Sequence, residues 1–169
     1  MTTQAPQGFF SGSNGLDASN RVAGLEPGFT GDVRVELCRG IHPRKGGQAF
    51  IVEFTVLTSN QPSVPVGVRR SWYNNINPAY LSTCMGPMVA FLYACLGLVP
   101  GRDQAVIDRD IKPNQDAWLN QSISSDQPLS GRIVHLETGS KPMKEDKTKL
   151  YTTYNFSAIV TSLPAAPSA

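Results

Sequence analysis

The sequence predicts a mainly β protein in which three strands lead into a helix and two further strands follow. Three observations carry that expectation. Over the 169 residues Gly, Pro, Ser, Thr and Asn are plentiful while charged residues are sparse, a mix that suits strands joined by many turns. Asp32 to Cys38 and Gly131 to Thr138 alternate apolar and polar residues with the period of a half-buried strand. One long stretch instead repeats at helical spacing, through Leu81, Cys84, Met85, Met88, Phe91, Leu92, Cys95 and Leu96.

The elements follow in order. In the first strand, Asp32 to Cys38, Val33, Val35 and Leu37 lie on one face and Arg34, Glu36 and Cys38 on the other. The turn His42-Pro43-Arg44-Lys45-Gly46-Gly47 leads to a second, strongly β-prone strand from Ala49 to Thr58. Its Phe50 and Phe54 share a face, with Ile51 and Leu57 opposite. A loop through Pro62 and Pro65 precedes the third strand, Val66 to Tyr73. Asn77-Pro78 is a helix-start signal, with Asn at the cap and Pro at the first helical position. The helix runs to Leu96, where Gly97 supplies the stop, and Pro87 should kink or divide it. Pro113 to Ile123 can form a second short helix carrying Trp118. In the fourth strand, Gly131 to Thr138, Arg132, Val134 and Leu136 lie opposite Ile133, His135 and Glu137. A turn-rich basic segment, Gly139 to Lys149, leads to a fifth strand from Leu150 to Val160. Residues 1–30 read as an arm or irregular lead-in, flexible or docked through Phe9-Phe10 and Phe29, residues 31–160 as one domain, and 161–169 as a disordered tail.

Composition narrows the function. A formal net charge of +2 and a pI near 8.5 exclude a histone-like polycation, so affinity for nucleic acid must come from local clustering. Cys38, Cys84 and Cys95 lack metal-binding spacing, and His42 and His135 do not complete a zinc set; the cysteines read as buried thiols. The N-terminus lacks the pattern of a secretory signal, and the apolar run Met88 to Val99 is too short to span a bilayer. The expectation is a soluble protein of the cytoplasm, a host's cytoplasm if the source is a phage.

Five strands with a helix between the third and the fourth are the element order of the OB-fold, a Greek-key barrel. Its usual ligand surface is the face of strands two and three, framed by the 1–2 and 4–5 loops. On that map the basic residues cluster: Arg39, Arg44 and Lys45 at the 1–2 loop, Lys141, Lys144, Lys147 and Lys149 in the 4–5 loop, and Arg69 and Arg70 on strand three, nine of the fifteen Lys and Arg residues. Strand three sets Arg69 and Arg70 beside Trp72 and Tyr73, joining cations for a phosphate backbone to flat faces for unstacked bases. Because side chains alternate, Trp72 and Tyr73 point to opposite faces. Trp72 with Arg70 is the preferred stacking pair, with Tyr73, Tyr151 and Tyr154 as further candidates. A core Trp/Tyr pair with solvated arginines is the competing reading.

The arrangement resembles the small OB-fold single-stranded DNA-binding proteins of bacteriophages, over roughly residues 31–160. The resemblance implies a non-enzymatic protein of DNA replication, recombination or repair that takes single-stranded DNA and no cofactor. It also implies other replication or recombination proteins, or a second copy of the chain, as partners. Many such proteins end in an acidic tail, and here Pro164 to Ala169 carries no acid. Catalytic motifs are missing: there is no P-loop, GxSxG or HExxH. His135 and Glu137 share a strand face and can hold a metal, although a solvated strand pair is the simpler reading. Asp108 and Asp110 read as surface. The alternative from another class is a β-rich phage structural or assembly protein whose N-terminal arm ties subunits together.

Overall fold

Every strand inferred from the sequence is present in the computed structural model, which describes residues 22–41, 47–77, 79 and 81–159. The strands are β1 (Thr30–Ile41), β2 (Gln48–Val56), β3 (Arg69–Ile76), β4 (Ile133–Pro142) and β5 (Leu150–Ser157). The helix α1 (Leu81–Cys95) lies between β3 and β4. All neighbouring strands are antiparallel, in the order β3-β2-β1-β4-β5.

A β-bulge between Val35 and Leu37 departs from the simple alternation of the first strand. The extra residue reverses the parity of everything after it. Cys38 therefore joins Val33 and Val35 in the core, and Leu37 turns to the other face, half-buried. The bulge follows the point where β1 stops pairing with β4, whose ladder reaches only Arg34. Beyond it the Gln127 side-chain amide pairs with the β1 backbone, accepting from the Cys38 N–H (2.8 Å) and donating to the Cys38 carbonyl (2.9 Å). Gln127 holds a φ of +44° to do so, a region costly for a residue with a Cβ.

The strand β3 begins three residues later than the sequence suggests and ends three residues later, at Ile76. Gly67 turns the chain beforehand, and Val66 is left exposed. Asn77 Oδ1 accepts from the Ala79 N–H (2.9 Å) ahead of α1. The helix runs undivided through Pro87, held by Met88, Phe91, Leu92 and Cys95 on the core. Gly97, at φ +72°, ends it: its N–H donates to the Ala94 carbonyl (3.1 Å) and that of Leu98 to the Tyr93 carbonyl (2.9 Å), the paired bonds of a Schellman cap. A helical segment follows, from α2 (Gln104–Val106) through a π-helical turn (Ile107–Ile111) and a 3-10 turn (Lys112–Asn114) to α3 (Gln115–Ser122). Ile107, Ile111 and Leu119 anchor it, with Trp118 packed at the core's margin.

The core lies between the inner face of the curled sheet and α1. Phe50, Val52, Phe54 and Val56 of β2 all point into it, with Val33, Val35, Val134, Leu136, Trp72 and Phe29. A closed barrel would join β3 to β5 by backbone pairing, and among the described residues no such ladder is present. The two edges meet through side chains instead. Trp72 of β3 lies 5.1 Å from Phe156 and 6.2 Å from Tyr154 of β5, centroid to centroid. Residues 22–25 run along the same seam: the Ser71 N–H donates to the Ala23 carbonyl (2.8 Å) and its hydroxyl to that of Val22. The Leu25 N–H donates to the Tyr154 hydroxyl (2.8 Å). Phe9 and Phe10, the tail and the Arg44–Lys45 turn lie outside the described residues. No helix among the described residues is long and apolar enough to cross a membrane.

Candidate nucleic-acid interface

The sheet's outer face can be read row by row from the strand register. Across β1, β2 and β3 the rows are Arg34–Thr55–Arg69, then Leu37–Glu53–Ser71, then Arg39–Ile51–Tyr73, then Ile41–Ala49–Asn75. Successive rows lie about 7 Å apart. Positive charge thus flanks the Glu53 row on both sides. In the lower two rows Ile41, Ala49 and Ile51 form a second small buried cluster, and Tyr73 packs against it.

The charged groups on this face are linked. Each carboxylate oxygen of Glu53 meets a different guanidinium, Oε1 that of Arg39 and Oε2 that of Arg69, both at 3.3 Å. The Glu53 side chain is 7% exposed, against 20% for Arg39 and 50% for Arg69. Arg34 pairs with Glu36 at 2.8 Å, and the Thr55 hydroxyl donates to the same oxygen (2.9 Å). The Arg34 guanidinium, with that hydroxyl, holds the Glu36 carboxyl below its ordinary value.

The structure corrects the preferred stacking pair. Trp72 is 4% exposed and belongs to the core, because its neighbour across the ladder is Val52, on the inner face of β2. Arg70, of the same parity, folds back so that its guanidinium donates to the Arg69 carbonyl (3.1 Å). Of the two strand-three aromatics, Tyr73 is the one on the outer face, with Arg69 and Arg39.

The second basic group lies on the β4–β5 hairpin. Thr30 pairs with Glu137, so β4 runs on past the start of β1, and the hairpin lies at the opposite end of the face from Ile41. The hairpin tip is built on Asp146, whose Oδ1 accepts from the Thr148 N–H (3.0 Å) and hydroxyl (2.6 Å). Those bonds, the hydroxyl's above all, depress its carboxyl. The Asp146 carbonyl takes the Lys149 N–H (3.0 Å), and the Lys149 carbonyl takes that of Met143 (2.8 Å). Lys141, Lys144, Lys147 and Lys149 are all exposed. Tyr151, opposite Lys141 in the ladder, is 43% exposed.

Three aspartates elsewhere are paired locally. Asp103 meets Arg102 (2.7 Å), Asp110 meets Arg109 (2.7 Å) and Asp108 meets Lys112 (2.8 Å). In each case the cation's hydrogen bond draws the carboxyl down. His135 sits between carboxylates, Nδ1 at 2.9 Å from Asp32 and Nε2 at 3.3 Å from Glu137. Asp32 foremost, with Glu137, raises its pKa against the opposing effect of burial. Among the described residues no group of three or more metal-ligating side chains is arranged to hold a metal ion. Cys38 and Cys95 are buried thiols and Cys84 is half-buried; burial pushes Cys38 up to about 12 and Cys95 higher still.

Glu53 is the member of this face that sequence reading missed. Its signal lay in the second strand, where an acid interrupts the apolar run from Phe50 to Val56 on the same face as Ile51. No protein-family model matches the chain, and the sequence of no curated protein does either.

Proposed function

We propose that this protein binds single-stranded DNA without catalysing a reaction on it, using an OB-type barrel. The strand order and the facing edges of β3 and β5 support the barrel reading, with residues 22–25 lying where backbone closure would fall. The observation that carries the functional reading is the exposed hairpin, with Lys141, Lys144, Lys147 and Lys149 around an open Tyr151. Exposed lysines there can meet phosphates, and a tyrosine face in the same element can take a base; such stacking is worth about 1–3 kcal/mol per base. The outer-face rows add Arg39, Arg69 and Tyr73, and Arg44 and Lys45 follow Ile41 closely in the sequence.

Binding to oligo-dT, to duplex DNA and to RNA, each titrated over a range of salt, tests the proposal. Oligo-dT should bind best, with a log–log salt slope of about −0.7 for every phosphate contact. Equal affinity for duplex, or no oligo-dT binding at low salt, would defeat it. The basic hairpin would then fit a contact between proteins, as the assembly-protein reading requires.

A further inference from the structure

Glu53 is the only charged side chain that is buried among the described residues. A buried carboxylate is costly unless it is paired, and this one is paired twice, on a sheet face otherwise suited to a ligand. We propose that Glu53 holds Arg39 and Arg69 as a two-guanidinium cradle for one phosphodiester of a bound strand. The inference rests on the single-stranded DNA reading and deepens it, since it names the phosphate as the group this face grips.

Each guanidinium carries five N–H donors in a planar fork, and Glu53 is reached through a single nitrogen, Nη2, of each. Each guanidinium therefore keeps donors that Glu53 does not take, on a head whose place the carboxylate fixes. Arg39 Nε is buried with no hydrogen-bond partner, so the Glu53 carboxylate does not satisfy this head completely. Phosphate oxygens match the fork geometry. The register then orders the strand: a phosphate between the Arg39 and Arg69 rows leaves the adjoining base beside Tyr73, which shares the Arg39 row across Ile51. Guanidiniums already held lose little freedom when the anion arrives, which is how a paired acid can increase affinity for a negative ligand.

The plain counter-ion role predicts the opposite sign, and Glu53→Gln separates the two. The substitution removes a negative charge, so a counter-ion role predicts tighter oligo-dT binding. The cradle predicts binding roughly tenfold weaker, from two freed arginines, with thermal unfolding recorded to verify the fold. Arg69→Lys is the second variant, at a half-exposed position that does not endanger folding. It keeps the charge and loses the fork, so the cradle predicts weaker binding at an unchanged salt slope, and a simple solvated charge predicts no change. A dT oligonucleotide with neutral methylphosphonate linkages should bind wild type and Glu53→Gln alike. Wild type that binds oligo-dT, with Glu53→Gln binding equally or more tightly, overturns the cradle alone. Wild type that does not bind oligo-dT at all removes the nucleic-acid reading itself.

Discussion

The indole of Trp72 is surrounded by Phe50, Phe91, Tyr154 and Phe156 at centroid separations from 5.1 to 6.2 Å. Removing so large a buried side chain leaves a cavity that a close-packed core relaxes into only partly. Trp72→Ala should cost about 3–5 kcal/mol in urea or thermal unfolding, while the fraction that remains folded keeps its affinity for oligo-dT. A loss below about 1 kcal/mol would mean that the ring is not core. That Trp72 and Tyr73 face opposite ways follows from strand alternation alone. Which of them faces inward does not, because it depends on the partner strand. The sequence of β2 holds the answer: one parity reads Phe50, Val52, Phe54, Val56 and the other Ala49, Ile51, Glu53, Thr55. Only the register that sets Trp72 against Val52 transfers this distinction to β3. Cys38 shows the opposite limit. Its burial depends on a bulge, and nothing in the alternation of Asp32 to Cys38 marks where one extra residue enters.

Between strands, His135 is the titratable link. It lies on β4 directly opposite Asp32 of β1, with Glu137 two residues along its own strand. Its pKa is raised above the ordinary value near 6.5, so its protonated form is the better bound one in the fold. The stability it contributes is fully present below about pH 6.5, provided both carboxylates stay ionised, and is lost as pH rises through the folded-state value. The difference in unfolding midpoint between wild type and His135→Gln should therefore be larger at pH 6 than at pH 8.5. A difference that grows with pH would mean that the imidazole is held neutral. The seam between β3 and β5 belongs to the same scale. Gly24 sits where a Cβ would meet the Tyr154 hydroxyl at 2.9 Å and the Ser71 carbonyl at 3.4 Å, so a side chain at this position would have to displace the Tyr154 hydroxyl. The strands and the helix were legible because each has its own period. The seam is not, because residues 22–29 carry no period, and beside Phe29, whose docking the sequence suggests, nothing marks Leu25 as a core residue.

Across the whole molecule, a chain of net charge +2 distributes its charges unevenly. On the helical segment, Arg102, Arg109 and Lys112 are each spent on an aspartate one or four residues away. On the hairpin, Lys147 and Lys149 stand exposed beside an aspartate occupied with its own turn, and Lys144 is exposed as well. This contrast supplies a matched pair of variants, each losing the same number of positive charges. Substituting Lys144, Lys147 and Lys149 together with Gln should flatten the log–log salt dependence of oligo-dT binding by about 0.7 for each lysine that meets a phosphate. Substituting Arg102, Arg109 and Lys112 with Gln should leave the slope nearly as it is, since those cations are engaged within the protein. Neither triple should shift thermal unfolding much, because exposed ion pairs contribute only about 0–1 kcal/mol and the hairpin lysines lie outside the core. Equal flattening in both would assign the affinity to net charge and leave the hairpin no special part in it. Flattening in the hairpin triple alone would mean that local clustering, and not the small overall charge, draws the strand to this end of the sheet.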